Sequence, residues 1–128
     1  MRTKTLLTVC MIAAAFAGSP GAARAAEPQK EDAAFTSKLL DSIKNDDYAA
    51  FVADGTPDFQ AITKVNFDQV SAQLAPRFKA GSKVVFLGQL SQHGYRVSLW
   101  KISFSDGGDD MLAKLSVKDG KVGGFWIQ

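Results

Sequence analysis

The second half of the chain constrains the fold most, because it alternates strand-like segments with turn signals. Four segments are rich in β-branched and aromatic side chains: residues 83–90, 95–104, 111–117 and 122–127. Between them lie three turn signals: Gln92-His93-Gly94, Asp106-Gly107-Gly108-Asp109 and Asp119-Gly120. Since Asp-Gly between short strands is a strong hairpin signal, these segments predict a four-stranded antiparallel meander.

The first half shows helical periodicity instead. Between residues 31 and 44, apolar side chains recur at steps of three and four, at Phe35, Leu39, Leu40 and Ile43. Asn45 is a candidate for the residue that ends this helix in the left-handed backbone conformation. Asp46 or Asp47 can cap a second, short helix, and Thr56-Pro57 predicts a brief helical turn.

A further helix is predicted to begin at Asn66, with Gln69 in capping-box spacing. Its expected buried stripe is Phe67, Val70 and Leu74, and Pro76 predicts a kink or a restart. Helices followed by a meander indicate the α+β class, with N-terminal helices packed on a curved four-stranded antiparallel sheet.

The N-terminus has the three parts of a secretory signal peptide. Arg2 and Lys4 precede a twelve-residue run without charge, residues 6–17, which is too short to span a bilayer. Ala23-Arg24-Ala25 matches a small-x-small cleavage site. We therefore predict a signal peptide over residues 1–25, a flexible leader over 26–30, one domain over 31–128, and a periplasmic or secreted location.

Cleavage would change the charge and the thiol content of the chain. It would remove Arg2, Lys4 and Arg24, so 15 − 3 = 12 basic residues would face 13 acidic ones, a net charge of −1. It would also remove Cys10, the only cysteine, and with it disulfide, thiolate and cysteine–zinc chemistry. Without a basic stripe or a second long apolar run, neither nucleic acid nor a membrane is an expected partner.

The polar residues show no catalytic or metal-binding pattern. His93 is the only histidine and lies in a turn signal, where a solvated imidazole is expected. Asp46-Asp47 is typical of a helix cap, and Asp106, Asp109 and Asp110 lack calcium-loop spacing. Arg77 and Lys79 are expected on a solvated helix face. We predict no catalytic residue, no metal ligand and no cofactor.

Aromatic side chains on the strands are the remaining candidates for a ligand-binding site. These candidates are Tyr95, Trp100, Phe125 and Trp126, with His93 beside them. Such residues usually form a core or a dimer surface. The alternative is a cavity or groove in which Tyr95 and Trp126 offer polar atoms on apolar bodies.

Two stretches carry a resemblance to a known superfamily: Asn45-Asp46-Asp47-Tyr48-Ala49-Ala50-Phe51, and the closing Asp119-Gly120-Lys121-Val122-Gly123-Gly124-Phe125. With helices before four strands, the chain resembles small secreted bacterial members, of unknown function, of the nuclear-transport-factor-two-like superfamily, a cystatin-like α+β cone. The resemblance implies an apolar cavity between sheet and helices, and a homodimer formed through the sheet face. The steroid-isomerase branch needs a tyrosine and two carboxylic acids in that cavity. Inward strand positions here offer Tyr95 but no Asp or Glu.

Three functional hypotheses follow. The favoured one is an exported, non-catalytic domain that binds a small apolar ligand or a protein partner through its sheet face or cavity. The alternative is a small isomerase or hydrolase that uses the cavity. A cystatin-like protease inhibitor would need an exposed apolar hairpin loop, whereas residues 106–110 and 118–121 are polar.

Overall fold

The computed structural model describes residues 27–128, in which four helices precede four strands. The helices are α1 (Lys30–Lys44), α2 (Tyr48–Val52), α3 (Pro57–Gln60) and α4 (Lys64–Ala80). The strands are β1 (Ser82–Gln92), β2 (Tyr95–Phe104), β3 (Met111–Lys118) and β4 (Lys121–Ile127). The predicted signal peptide, residues 1–25, lies outside the described residues, and Lys30 of the predicted leader already belongs to α1.

The four strands form one antiparallel sheet in the order β1-β2-β3-β4, as the short connections predict. The β1–β2 hairpin turns through His93 (φ 53°) and Gly94 (φ 81°), and the β3–β4 hairpin through Asp119 (φ 52°) and Gly120 (φ 74°). Two consecutive residues with positive φ suit the right-handed twist of the paired strands. The α+β class, with helices packed against a four-stranded antiparallel sheet, is confirmed.

The sheet has an inner face covered by the helices and an outer face without helices. On β3, Ala113, Leu115 and Val117 point inward and belong to the core, together with residues of α1 and α4. Their neighbours Lys114 and Lys118 point outward, since successive side chains of a strand alternate between its faces. The sequence itself predicts this division, because Met111, Ala113, Leu115 and Val117 alternate with Leu112, Lys114, Ser116 and Lys118, and the burial pattern of β3 confirms it.

Helix α4 differs from its prediction in its first residue and in the exposure of Val70, and it continues through Pro76. It begins at Lys64 instead of Asn66, because the Thr63 hydroxyl caps it by accepting a hydrogen bond from the Asn66 backbone N–H at 3.2 Å. Pro76 lies within one continuous helix, so no restart occurs. Val70 was expected in the core but is 42% exposed.

The segment between α1 and α2 is a tight acidic turn. Asp46, not Asn45, adopts the left-handed conformation, with φ 56° against −99° for Asn45. The carboxylate of Asp47 caps α2 by accepting a hydrogen bond from the backbone N–H of Ala50 at 3.1 Å. The predicted capping role of this acidic pair is thus confirmed at Asp47.

A buried ion pair joins α1 to β2. The Asp32 carboxylate, 0% exposed, accepts hydrogen bonds from Arg96 Nε at 2.8 Å and from Arg96 Nη2 at 2.7 Å. Glu31 Oε2 lies 3.7 Å from the same guanidinium. The hydrogen bond to Asp32 raises the pKa of Arg96. This bidentate contact between guanidinium and carboxylate holds the start of α1 against the sheet.

Within residues 27–128, none of the helices combines the length and the apolar character needed to cross a membrane.

Candidate functional site

A cavity of about 240 Å³, here called the inner cavity, lies between the helices and the inner face of β3 and β4. Its apolar lining residues are Ile43, Phe51, Ile62, Phe67, Val70, Leu74, Met111, Phe125 and Ile127. The only polar side chains in the lining are the amides of Asn66 and Gln73. No lining side chain can exchange a proton near neutral pH, so the inner cavity provides no acid or base.

Local structure explains why this cavity is apolar. Helix α4 contributes Asn66, Phe67, Val70, Gln73 and Leu74, whose spacing of one, four, seven and eight residues is one face of an α-helix. Val70 and both amides are exposed residues, which puts them at the mouth of the cavity.

Phenylalanine rings form the deep wall of the inner cavity. The Phe51 ring centroid lies 5.0 Å from that of Phe67 and 6.4 Å from that of Phe125. Beside them, the Tyr48 hydroxyl donates a hydrogen bond to the carbonyl of Ile62, so the chain between α3 and α4 is held in place. These contacts give the cavity a wall of aromatic rings packed against one another.

A second concavity, here called the outer hollow, lies on the opposite side of the sheet and has a volume of about 290 Å³. It is lined by Gln92, His93, Tyr95, Val97, Lys114, Ser116, Gly123 and Trp126. Val97 and Ser116 are paired across β2 and β3, and Ser116 is paired with Gly124 of β4. The buried side chains of Val97 and Ser116 form the floor of the outer hollow.

Two aromatic rings lie over the glycine pair of β4. A Cβ atom on Gly123 would collide with the Tyr95 ring, and one on Gly124 would collide with the Trp126 ring. The Lys114 Nζ atom lies 5.2 Å from the Trp126 ring centroid, and Lys118 Nζ lies 5.5 Å from that of Tyr95. The outer hollow is therefore lined by aromatic surface and by the Lys114 ammonium group, and the Lys118 ammonium group lies beside it on the Tyr95 ring.

The outer face as a whole is basic. The four strands contain no Asp or Glu. Register and alternation put Lys83, Lys101, Lys114 and Lys118 on the outer face. Positive charge therefore accumulates on the side of the sheet that the helices leave open.

Trp100 occupies a third place, a pocket of about 280 Å³ between α1 and β1. The side chain is 6% exposed, its ring lies edge-on to Phe86 at 5.2 Å, and its indole N–H donates to Ser98 Oγ at 2.9 Å. Its polar atom is already bonded within the protein.

The predicted ligand-binding residues are thus distributed over three places. His93, Tyr95 and Trp126 come together in the outer hollow, Phe125 lines the inner cavity, and Trp100 lies in the third pocket. Sequence reasoning missed the helical wall of the inner cavity, because pairing of helices with strands leaves no local pattern. It also missed Lys114 and Lys118, although their alternation with apolar residues on β3 was visible.

Arg77 has a structural role instead of the solvated one predicted for it. Its Nε donates to Asp106 Oδ2 at 2.7 Å, its Nη2 donates to the Asp109 carbonyl at 2.9 Å, and its guanidinium lies 3.8 Å from the Phe104 ring centroid. Arg77 and the Gly108 backbone N–H lower the pKa of Asp106 by hydrogen bonding to its carboxylate. The β2–β3 loop is thereby fastened to α4.

Comparison with solved structures gives distant similarities, among them the following two. The chain is similar to AclR, a candidate hydroxylase from Streptomyces galilaeus, at 11% identity and a TM-score of 0.47, over 79% of each chain. It is also similar to an uncharacterised cystatin-fold protein from Novosphingobium aromaticivorans, at 13% identity and a TM-score of 0.40, over 73% of this chain and 94% of that one. Neither a protein-family model nor a curated protein matches the sequence.

Proposed function

We propose that this protein binds a small, uncharged apolar molecule in the inner cavity and does not transform it. The observation that carries the proposal is the lining itself, which is apolar apart from two amides and contains no titratable side chain. An apolar ligand would lose its contact with water on entry without leaving a buried polar group unpaired. Phe125 is then a ligand-binding residue, as the sequence predicted.

The volume of the inner cavity limits the size of the ligand. An apolar cavity of about 150 Å³ is enough to hold benzene. At about 240 Å³, the inner cavity is suited to molecules of one or two rings, or to a short branched chain. Asn66 and Gln73 at the mouth could form one or two hydrogen bonds to a polar end group.

Sequence patterns support the proposed location of the protein and the presence of a cavity. We include export in the proposal because residues 1–25 have the organisation of a signal peptide. The resemblance to the nuclear-transport-factor-two-like superfamily supports a ligand-filled space between helices and sheet. An isomerase or hydrolase is less well supported, because its acid and base would have to come from outside the cavity lining.

Naphthalene is a suitable probe, because it is uncharged and has two rings. Methyl NMR spectra of the protein should show saturable shifts for Ile62, Met111 and Ile127, which line the inner cavity, and none for the exposed Leu87. Val70→Trp should weaken binding at least about tenfold, because the larger ring would occupy the mouth.

Val65→Trp is the matched control. Val65 lies on the same helix, is 65% exposed and does not line the cavity. This variant should bind naphthalene as the unmodified protein does. The proposal fails if naphthalene causes no saturable shifts, or if both tryptophan variants weaken binding equally.

A further inference from the structure

We propose that the outer hollow is a second binding site, specific for a small planar organic anion of the aromatic carboxylate class. This goes beyond the function proposed above, because it concerns another site with the opposite preference for charge. The ring of the ligand would lie against Tyr95 and Trp126, and its carboxylate would pair with Lys114 or Lys118.

The outer hollow offers a ligand an aromatic surface formed by Tyr95 and Trp126. Trp126 is 51% exposed, whereas the other tryptophan, Trp100, is 6% exposed on the inner face. Gly123 and Gly124 let the Tyr95 and Trp126 rings lie close to the β4 backbone, with the floor at Ser116 between them. A flat molecule can therefore contact ring surface and strand surface at the same time.

The ammonium groups of Lys114 and Lys118 supply the positive charge that would attract a carboxylate. Neither Lys114 nor Lys118 forms an ion pair with a carboxylate of residues 27–128. Both ammonium groups instead lie over aromatic rings, at 5.2 and 5.5 Å from the centroids. A carboxylate in the outer hollow would meet the Lys114 ammonium group, with that of Lys118 beside the Tyr95 ring, and no acidic side chain lines the hollow. A charge-assisted hydrogen bond is stronger than a neutral one.

The charge of the outer face also distinguishes between the possible occupants of the outer hollow. A second copy of the chain placed face to face would set the lysines of one outer face against those of the other, which is unfavourable at low ionic strength. The homodimer expected from the resemblance is thus the less favoured occupant of this face. A neutral apolar molecule would leave the ammonium groups without an anionic partner. An aromatic carboxylate can contact the aromatic rings and also pair with an ammonium group.

2-Naphthoate tests the proposal, because it differs from naphthalene by its carboxylate. In a ¹H–¹⁵N NMR titration, the indole N–H signal of Trp126 should shift saturably, while that of the buried Trp100 should not. Lys114→Gln and Lys118→Gln should each weaken binding about threefold to tenfold, and the double variant should weaken it more. Raising the ionic strength to about 0.5 M should also weaken binding.

Lys101→Gln is the matched control, since Lys101 is on the outer face of β2 but neither lines the outer hollow nor lies over its Tyr95 or Trp126 ring, as Lys118 and Lys114 do. It should bind 2-naphthoate as the unmodified protein does. Val70→Trp should also leave this binding unchanged, so failure at the inner cavity and failure at the outer hollow can be told apart.

Four results would overturn the proposal. These are an absence of saturable shifts at Trp126, shifts confined to the inner-cavity methyl groups, an equal loss of affinity in Lys101→Gln, and a sedimentation mass of two chains at low salt with Trp126 protected.

Discussion

The two faces of the sheet are built from the same four strands and differ in almost every chemical respect. The inner face is apolar and covered by helices, and its principal charge, Arg96, is paired with the buried Asp32. The outer face carries lysines without carboxylates, and a half-exposed tryptophan. The comparison shows that a period of two residues is enough to give one sheet two chemically unrelated surfaces.

Because the two faces are packed differently, substitutions on them should differ in how much they lower the free energy of unfolding. Leu115 and Leu112 lie on the same strand, but Leu115 is fully buried on the inner face whereas Leu112 is half-buried on the outer face. We expect Leu115→Ala to lower the free energy of unfolding by about 2–5 kcal/mol, because it leaves a cavity in the core. Leu112→Ala should lower it by about 1 kcal/mol.

Urea unfolding of both variants measures this difference. Equal losses would mean that the outer face is also covered in solution, which would contradict the contrast between the faces and would favour a sheet-to-sheet dimer.

Removing one partner of the buried ion pair measures the cost of an unpaired charge on the inner face. Asp32→Asn should lower the free energy of unfolding by about 3 kcal/mol, the lower end of the range of about 3–5 kcal/mol for breaking buried pairs. The lower end applies because the Arg96 side chain is 29% exposed and keeps some contact with water.

Glu31→Gln is the control for this pair, because Glu31 is adjacent and more exposed, and its carboxylate lies 3.7 Å from the same guanidinium. Its effect should stay below about 1 kcal/mol. A similar loss in both variants, measured by urea unfolding, would show that general attraction to Arg96 matters more than the two short hydrogen bonds of Asp32.

The smallest expected effect concerns the loop that Arg77 fastens to α4. Since hydrogen bonds from Arg77 and from the Gly108 backbone hold the folded-state pKa of Asp106 below its unfolded value, these contacts stabilise the protein above the unfolded pKa. That stabilisation is lost as the pH falls through the lowered pKa. Arg77→Gln should therefore raise the pKa of Asp106 toward its ordinary value.

An NMR titration of the Asp106 carboxyl carbon measures this change directly. Lys79→Gln removes a cation from the same last turn of α4 and should leave the titration of Asp106 where it is. If Lys79→Gln raised the pKa of Asp106 as much as Arg77→Gln does, the lowered pKa would come from the summed positive charge at the end of α4. The direct contact with Arg77 would then not be its cause.

Features that depend on neighbouring residues were predictable. The hairpin at Asp119-Gly120 follows from backbone conformations that these two residues adopt readily, and the alternation on β3 follows from the pleat. The start of α4 was misplaced because Thr63 and Asn66 both suit the cap of a helix, and only the folded chain selects one of them.

The candidate site was less predictable than the fold. The aromatic residues were identified, but their division between two faces and three places depends on which helices cover which strands. The partner of Asp32 is 64 residues away along the chain, so no sequence spacing indicates it.

The sequence alone determined the class of fold, the two hairpin turns and the positions that alternate along the strands, because these depend on contacts between residues close in the chain. Only the tertiary structure decided that Phe125 faces an apolar cavity while Trp126, the next residue, faces lysines on the other side. The physical reason is that adjacent residues of a strand point in opposite directions, and their environments come from distant segments that the helices bring to one face alone.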